Sequence, residues 1–169
     1  MAKYFNISGE LTQILISSGE SYNISKISLT NTQKTSKCKV DLYIEKKLTG
    51  KFYLLKEIEL PIGTTLVYDD TNFSTDNGEF SLYIKLTDGA TFTLTGSIDP
   101  IASTTVTGVG TAFLSEVSIG DEIVVTGETR TVSNITSDTS LTVSSAFSDN
   151  SNDATPDCNP TALVDVIIN

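Results

Sequence analysis

Paired carboxylates are the side chains with the most obvious chemical use in this sequence: Asp69-Asp70, Asp121-Glu122, and Asp149 with Asp153. Two carboxyl groups flanking a bond can divide the acid and base roles of glycoside hydrolysis. Neighbours on an extended chain point to opposite faces, however, so the adjacent pairs make poor two-carboxylate sites. The chain has no histidine, which removes the usual Ser-His and Cys-His arrangements for nucleophilic catalysis. Gly108-Val109-Gly110 lacks the lysine and the following helix of a phosphate loop and reads as a turn before Phe113. No catalytic residue is assigned, and the chain is not expected to be an enzyme.

Asp149-Asn150-Ser151-Asn152-Asp153 places oxygen ligands at alternate positions, as calcium prefers. It lacks the glycine and downstream glutamate of an EF-hand loop, and a solvated linker is the simpler reading. Two thiols without histidine do not fill a tetrahedral zinc shell. No metal and no other cofactor is therefore expected. Cys38 shares the alternation of Val40, Leu42 and Ile44 and reads as a small buried hydrophobe. Cys158, in TPDCNP, reads as a free thiol in a linker, and a bond between the two is not expected. Tyr43, Tyr53, Tyr68 and Tyr83 are of a type that stacks on sugars, but they are spread over several strands and read as sheet-face packing or interface residues.

The elements that would position these residues are strands. Lys39 to Asp70 gives three apolar-rich runs broken by Leu48-Thr49-Gly50 and Pro61-Ile62-Gly63. That pattern predicts three consecutive antiparallel strands at the centre of a sheet. Val40, Leu42 and Ile44 should face one way, with Phe52, Leu54, Ile58 and Leu60, then Leu66 and Tyr68, continuing the pattern. Upstream, Leu11, Ile14 and Ile16 alternate, followed by Tyr22, Ile24, Ile27 and Leu29, and the parity change predicts a bulge or bend at Ser25-Lys26. Thr30 to Ser36 has no apolar residue and reads as a hairpin loop. Asp69-Asp70-Thr71-Asn72 closes this unit and Asp76-Asn77-Gly78 opens the next strand, where Phe80, Leu82, Ile84 and Leu86 share a face. Asp88-Gly89 signals a hairpin, with Phe92 and Leu94 on the returning strand.

From Ile101 to about Asn152 lysine disappears, and Thr, Ser, Val and Gly dominate. Short strands are predicted around 104–106, 122–125, 129–135 and 140–144, with a turn at Ser137-Asp138-Thr139 and with Phe113, Ile119 and Phe147 as plugs. Together they suggest a small barrel of SH3-like size. Ala162 to Ile168 alternates again and has the length of a strand. The resulting expectation is all-β: an antiparallel β-sandwich from 1–98 plus 161–169, an inserted barrel at 101–152 and a linker at 153–160. Insertion at an exposed loop leaves core pairing intact.

The net charge of −10 is unevenly distributed. Residues 1–85 hold ten lysines and ten acidic residues, whereas 86–169 hold Arg130 against eleven acidic residues. An acidic surface repels phosphate backbones, so no nucleic-acid partner is expected. Lys34, Lys37, Lys39, Lys46, Lys47 and Lys51 read as the outward face and turns of a strand pair, with charges that discourage edge pairing. Apolar runs are far shorter than the roughly 20 residues of a membrane helix, and no membrane partner is expected. MAKYFNISGELTQ lacks the basic and apolar regions of a secretion signal, so no Sec export is expected.

Two sets of stretches carry a resemblance. ISLTNT, VDLYI, YLLKEIELPIGTTLVYDD and FSLYIKL resemble the small β-sandwich virion proteins of tailed bacteriophages, including those of marine cyanobacteria. STTVTGVGTAF, IGDEIVV, TRTVSNITSDTSLTV and SAFSDNSND resemble a module of phage structural and tail-associated proteins. The resemblance implies a non-enzymatic component of the virion, assembled in the host cytoplasm. Its expected place is the outside of the capsid, as a decoration protein docked through the sandwich. The implied partners are other virion proteins, the major capsid protein or neck and tail proteins, in an oligomeric arrangement. A neck, tail, baseplate or fibre component, and a host-surface glycan-binding adhesin read by the barrel loops, are the alternatives.

Overall fold

The computed structural model of the chain describes residues 1–46, 49–69, 73–74 and 79–169. Lys47, Leu48 of the expected Leu48-Thr49-Gly50 turn, Asp70-Thr71-Asn72 and the Asp76-Asn77-Gly78 turn lie outside the described residues. The fold is all-β, with one four-residue helix among the described residues. It divides into two compact units, one of residues 1–33, 37–88 and 162–169, the other of residues 34–36 and 89–161.

The first unit contains β1 (Lys3–Ser8), β2 (Gln13–Ile16), β3 (Asn23–Ile24), β4 (Ile27–Asn31), β5 (Cys38–Lys46), β6 (Gly50–Leu60), β7 (Thr65–Tyr68), β8 (Phe73–Ser74) and β9 (Phe80–Thr87), with the last strand of the chain, Leu163–Ile168. Two antiparallel four-stranded sheets form a sandwich. One runs β2-β9-β5-β6; the other runs β1, Leu163–Ile168, β4, β7. Strict alternation on β5 and β9 turns Val40, Leu42, Leu82, Ile84 and Leu86 inward, where they meet Ile7, Leu29, Val164 and Val166 of the facing sheet. Small β3 and β8 pair with each other, and the chain bends at Ser25-Lys26 between β3 and β4.

Leu42 is fully buried between its register partners Leu55 on β6 and Ile84 on β9. Leu42→Ala should therefore destabilise the unit by about 2–5 kcal/mol, the transfer loss plus the cavity left behind. A denaturant midpoint equal to that of the unsubstituted chain would refute this packing.

Several expectations fail at the sheet edges. The third strand of the Lys39–Asp70 run does not stay in its sheet: β7 pairs with β4 across the sandwich. The cause is the Pro61-Ile62-Gly63 corner, where Gly63 takes a positive φ of 65° and the Pro61 carbonyl accepts the Thr64 hydroxyl at 2.8 Å. Thr30–Ser36 is not a hairpin loop, because it carries the chain from β4 in one sheet to β5 in the other. Asn31 is fully buried there; its amide donates to the Leu60 carbonyl at 3.0 Å and its side-chain oxygen accepts the Gln33 N–H at 2.9 Å. A buried polar side chain thus bonds the backbone that a loop would otherwise leave unsatisfied. Phe52 and Ile58 share the inner-face rows of Ile44 and Val40 yet stay exposed, since β6 is the edge strand of its sheet. Glu57 sits at a register shift of β6 against β5 with φ 51°, its N–H held by the Asp41 carboxylate at 2.6 Å. Leu11 and Ile14 are exposed too, and the shift between Ile14 and Ile16 turns both Leu15 and Ile16 into the core.

The second unit contains β10 (Phe92–Thr93), β11 (Ser97–Pro100), β12 (Thr105–Val109), α1 (Phe113–Glu116), β13 (Glu122–Val125), β14 (Glu128–Ser137), β15 (Ser140–Val143) and β16 (Asp157–Asn159). They form one antiparallel sheet of seven strands in the order β10-β16-β13-β14-β15-β12-β11. Its two end strands, β10 and β11, are separated by only Leu94-Thr95-Gly96, and Ile98 exchanges two 2.8 Å backbone hydrogen bonds with Asp153 just ahead of β16. The sheet therefore rolls back on itself. Gly96 has φ 81°, and a Cβ there would stand 2.4 Å from the Val109 carbonyl oxygen, so only glycine fits.

Phe113 and Phe147 fill the centre with Ile98, Val106, Ile123 and Leu141, but Ile119 is 59% exposed and is no plug. Phe92 and Leu94 belong to this unit, not to a hairpin returning from β9, because β10 pairs with β16. The segment 153–160 is not a linker: it holds β16, which lies between β10 and β13 and buries Cys158 completely.

The closing strand, β17 (Leu163–Ile168), lies in the first unit between β1 and β4, antiparallel to both. Just ahead of it the Ala162 N–H donates to the Asp88 carboxylate at 2.6 Å. That bond ties the point where the chain leaves the sandwich to the point where it returns.

Candidate functional site

Outward residues of β9, β5 and β6 fall in one register row, Tyr83 opposite Tyr43 and Tyr43 opposite Tyr53, with Ile14 of β2 beyond Tyr83. The rings of Tyr43 and Tyr83 stack 5.3 Å apart at 12°, and Tyr53 leans on Tyr43 at 5.4 Å and 51°. Such cross-strand aromatic pairs stiffen a sheet face. Lys51 Nζ sits 4.5 Å above the Tyr43 ring and donates to its hydroxyl at 3.3 Å, while Lys56 Nζ is 4.7 Å from the Tyr53 ring. The Tyr43 hydroxyl raises the Lys51 ammonium above its ordinary range, and Glu57, then Asp41, does the same for Lys56. Tyr43 ends up buried although it faces outward.

Beside this row lies a cleft of about 530 Å³, lined by Ser18, Glu45, Lys46, Gly50, Glu79, Ser81 and Tyr83. Lys46 pairs with Glu79 at 2.5 Å, and the Ser18 N–H donates to Ser81 Oγ at 2.9 Å. Sequence reasoning missed this convergence. The outward parity of Tyr43 and Tyr83 was readable, but the adjacency of β9 and β5 was not. Tyr68 is separate, half-buried against the core on β7.

The opposite outer face carries a different row: Tyr4, Ile167, Ser28 and Val67 in register across β1, β17, β4 and β7. Tyr4 is 72% exposed, Val67 43% and Ile167 37%. The next row is polar, with an Asn6–Asp165 hydrogen bond of 2.6 Å and a Thr30–Thr65 hydroxyl contact of 2.9 Å.

The carboxylates singled out from sequence do not converge. Asp69 is exposed, and Asp70 lies outside the described residues. Asp121 is fully buried and accepts the Ser118 and Thr161 N–H groups at 2.8 and 2.9 Å, while Glu122 faces solvent. Asp149 accepts the Ser151 N–H at 2.8 Å; Asp153 accepts those of Thr126 and Thr155 at 2.7 and 2.9 Å. These oxygens hold turns together. Among the described residues no three His, Cys, Asp or Glu side chains are placed to hold a metal ion. Gly108 lies within β12 and Gly110 follows it, turning with φ 69°. Both cysteines are unpaired and buried. Burial, with Asp88 adding to it, pushes the Cys38 thiol up to about 11; burial and then Asp121 push Cys158 up to about 12.

Of the lysine group, Lys37 pairs with Glu59 at 2.8 Å, and Lys39 is exposed beside β6, the edge of its sheet.

Glu128 is a heavily used carboxylate of the second unit. It accepts the Ser148 hydroxyl at 2.7 Å, the Ser148 and Asp149 N–H groups at 2.9 and 2.8 Å, and Arg130, whose guanidinium also lies over Phe147 at 5.2 Å. The Ser148 hydroxyl, then the Asp149 N–H, hold its carboxyl down to about 2 from 4.5. A depressed folded-state value stabilises the fold above pH 4.5 and ceases to do so as pH falls toward about 2. The thermal midpoint of the native chain should exceed that of Glu128→Gln at neutral pH, and the gap should close through that window. A gap constant with pH would show that the carboxylate is not what holds this loop.

No protein-family model matches the chain, and no curated protein matches it. Among solved structures, a chain in the structure of infectious bursal disease virus Gx strain aligns over 99% of this chain and 32% of its own length, at 8% identity and a TM-score of 0.22. The chain thus spans about a third of the length of that protein.

Proposed function

We propose that this chain is a non-enzymatic structural protein of a tailed-phage virion, an accessory protein docked on the outside of the capsid through its β-sandwich. The observation that supports the reading is the exposed row Tyr4, Ile167 and Val67 on the outer sheet face of the sandwich, three large apolar side chains interrupted by Ser28 alone. Large apolar side chains clustered and exposed on one face mark protein contact. The second unit offers the opposite: its surface is acidic, and several of its carboxylates are spent on its own turns. Such a lobe suits exposure to solvent more than burial against a shell. The partner on this reading is the major capsid protein, in several copies per particle, with neither nucleic acid nor membrane involved.

The test is placement. Mass spectrometry of purified particles should find the chain in stoichiometric amounts, and a particle map should seat the sandwich on the shell. Tyr4→Asp and Val67→Asp should fold normally yet fail to join particles. Absence of the chain from particles sinks the proposal, and density at the neck, tail or a fibre tip replaces the capsid with that location.

A further inference from the structure

We propose that the cleft lined by Glu45, Ser81 and Tyr83 on the outer face of the first unit binds a short neutral saccharide. The claim does not depend on where the chain sits in a particle. Three polar groups converge there with hydrogen-bonding capacity unspent. The half-buried Glu45 carboxylate makes no hydrogen bond and no ion pair among the described residues, because its cross-strand neighbour Lys51 is turned onto Tyr43. Ser81 is 9% exposed; its oxygen accepts the Ser18 N–H, and its own proton has no acceptor among the described residues. The Tyr83 hydroxyl likewise has no partner among them, and its ring is fixed by the stack on Tyr43.

A carboxylate accepts from two adjacent hydroxyls, and a serine or tyrosine hydroxyl both donates and accepts. An immobilised aromatic ring offers a flat surface to the C–H face of a sugar at little entropic cost. The volume, about 530 Å³, lies within the range of small-molecule sites. Other ligand classes fit poorly. Phosphates and acidic sugars would face Glu45 and Glu79, with Lys46 already paired to Glu79. An apolar ligand would strand the carboxylate and hydroxyls without partners.

The test titrates the full chain, by calorimetry and ligand-observed NMR, against neutral mono- and disaccharides, with sialylated and sulfated sugars and an oligolysine peptide as comparators. Saturable binding of at least one neutral sugar is expected. Glu45→Gln should weaken it about tenfold or more, as expected for loss of a charge-assisted hydrogen bond, and Ser81→Ala and Tyr83→Phe should weaken it less. Leu114→Ala, at an exposed side chain of the second unit, should leave it unchanged. Circular dichroism and thermal midpoints establish that each variant is folded, and Tyr83→Phe, which deletes one hydroxyl only, decides the matter if Glu45→Gln proves unstable. No saturable binding of any neutral sugar, equal affinity in the variants, or preference for the anionic sugars or the peptide would overturn the proposal.

Discussion

Val166→Asp should abolish folding of residues 1–88 and 162–169 while leaving residues 89–161 folded. Val166 is fully buried at the middle of β17, paired with Phe5 of β1 on one side and Leu29 of β4 on the other. No described carboxylate partner or cation is available in the apolar cluster around it. An uncompensated charge in such a place costs upwards of about 4 kcal/mol, against a total stability for a domain of about 5–15 kcal/mol. Hydrogen exchange read by mass spectrometry separates the two units. Protection should vanish in β1, β4, β5 and β9 and persist in β12, β14 and β15. Retained protection in β1 and β4 would mean that β17 is not the central strand of that sheet. The isosteric Val166→Thr should be far milder, since a hydroxyl can bond locally where a carboxylate cannot.

Phe113→Ala should act on the other unit. Phe113 is fully buried at the start of α1, one of two phenylalanine rings in a cluster with Ile98, Ile123 and Leu141. Removing a buried phenyl ring costs about 3–5 kcal/mol, a large share of what a rolled sheet of this size can supply. The short helix makes matters worse, because its two ends are tied to other segments: the Asp138 carboxylate accepts the Leu114 N–H at 3.1 Å, and the helix's own Glu116 accepts the Thr95 N–H at 2.9 Å. Losing the anchor frees both. The expected signature is an unfolding transition of residues 89–161 at lower denaturant, with that of the sandwich unmoved. A single unshifted transition would refute the assignment of Phe113 as the plug.

Alternation was a reliable guide where a strand has one buried face and neighbours on both sides. Leu82, Ile84 and Leu86 on β9, and Val40 and Leu42 on β5, point where period two puts them. It failed at edges. On β2 the register shift leaves Ile14 exposed while Leu15 and Ile16 are both buried, and on the edge strand β6 Phe52 keeps the row of Ile44 but is exposed. Polar composition misled for a different reason. Thr30–Ser36 contains no hydrophobe, yet Asn31 and Gln33 are buried, because a crossing between sheets needs side chains that hydrogen-bond backbone. TPDCNP looked like a linker for want of a long apolar run, although a three-residue strand flanked on both sides needs only Cys158 inside. The tyrosine row and its cleft were invisible for a topological reason: Tyr43 and Tyr83 are forty residues apart, and nothing local to either states that β5 and β9 are neighbours.

The hydrogen bond from Ala162 to Asp88 closes a doorway in the sandwich. Whatever is strung between those two residues contributes a closed loop whose entropic cost grows only slowly with its length. The two ends of the insertion are thereby held side by side whatever its length. A foreign domain strung between Asp88 and Ala162 would need neighbouring termini, and would leave Lys34–Ser36 without the residues they cluster with.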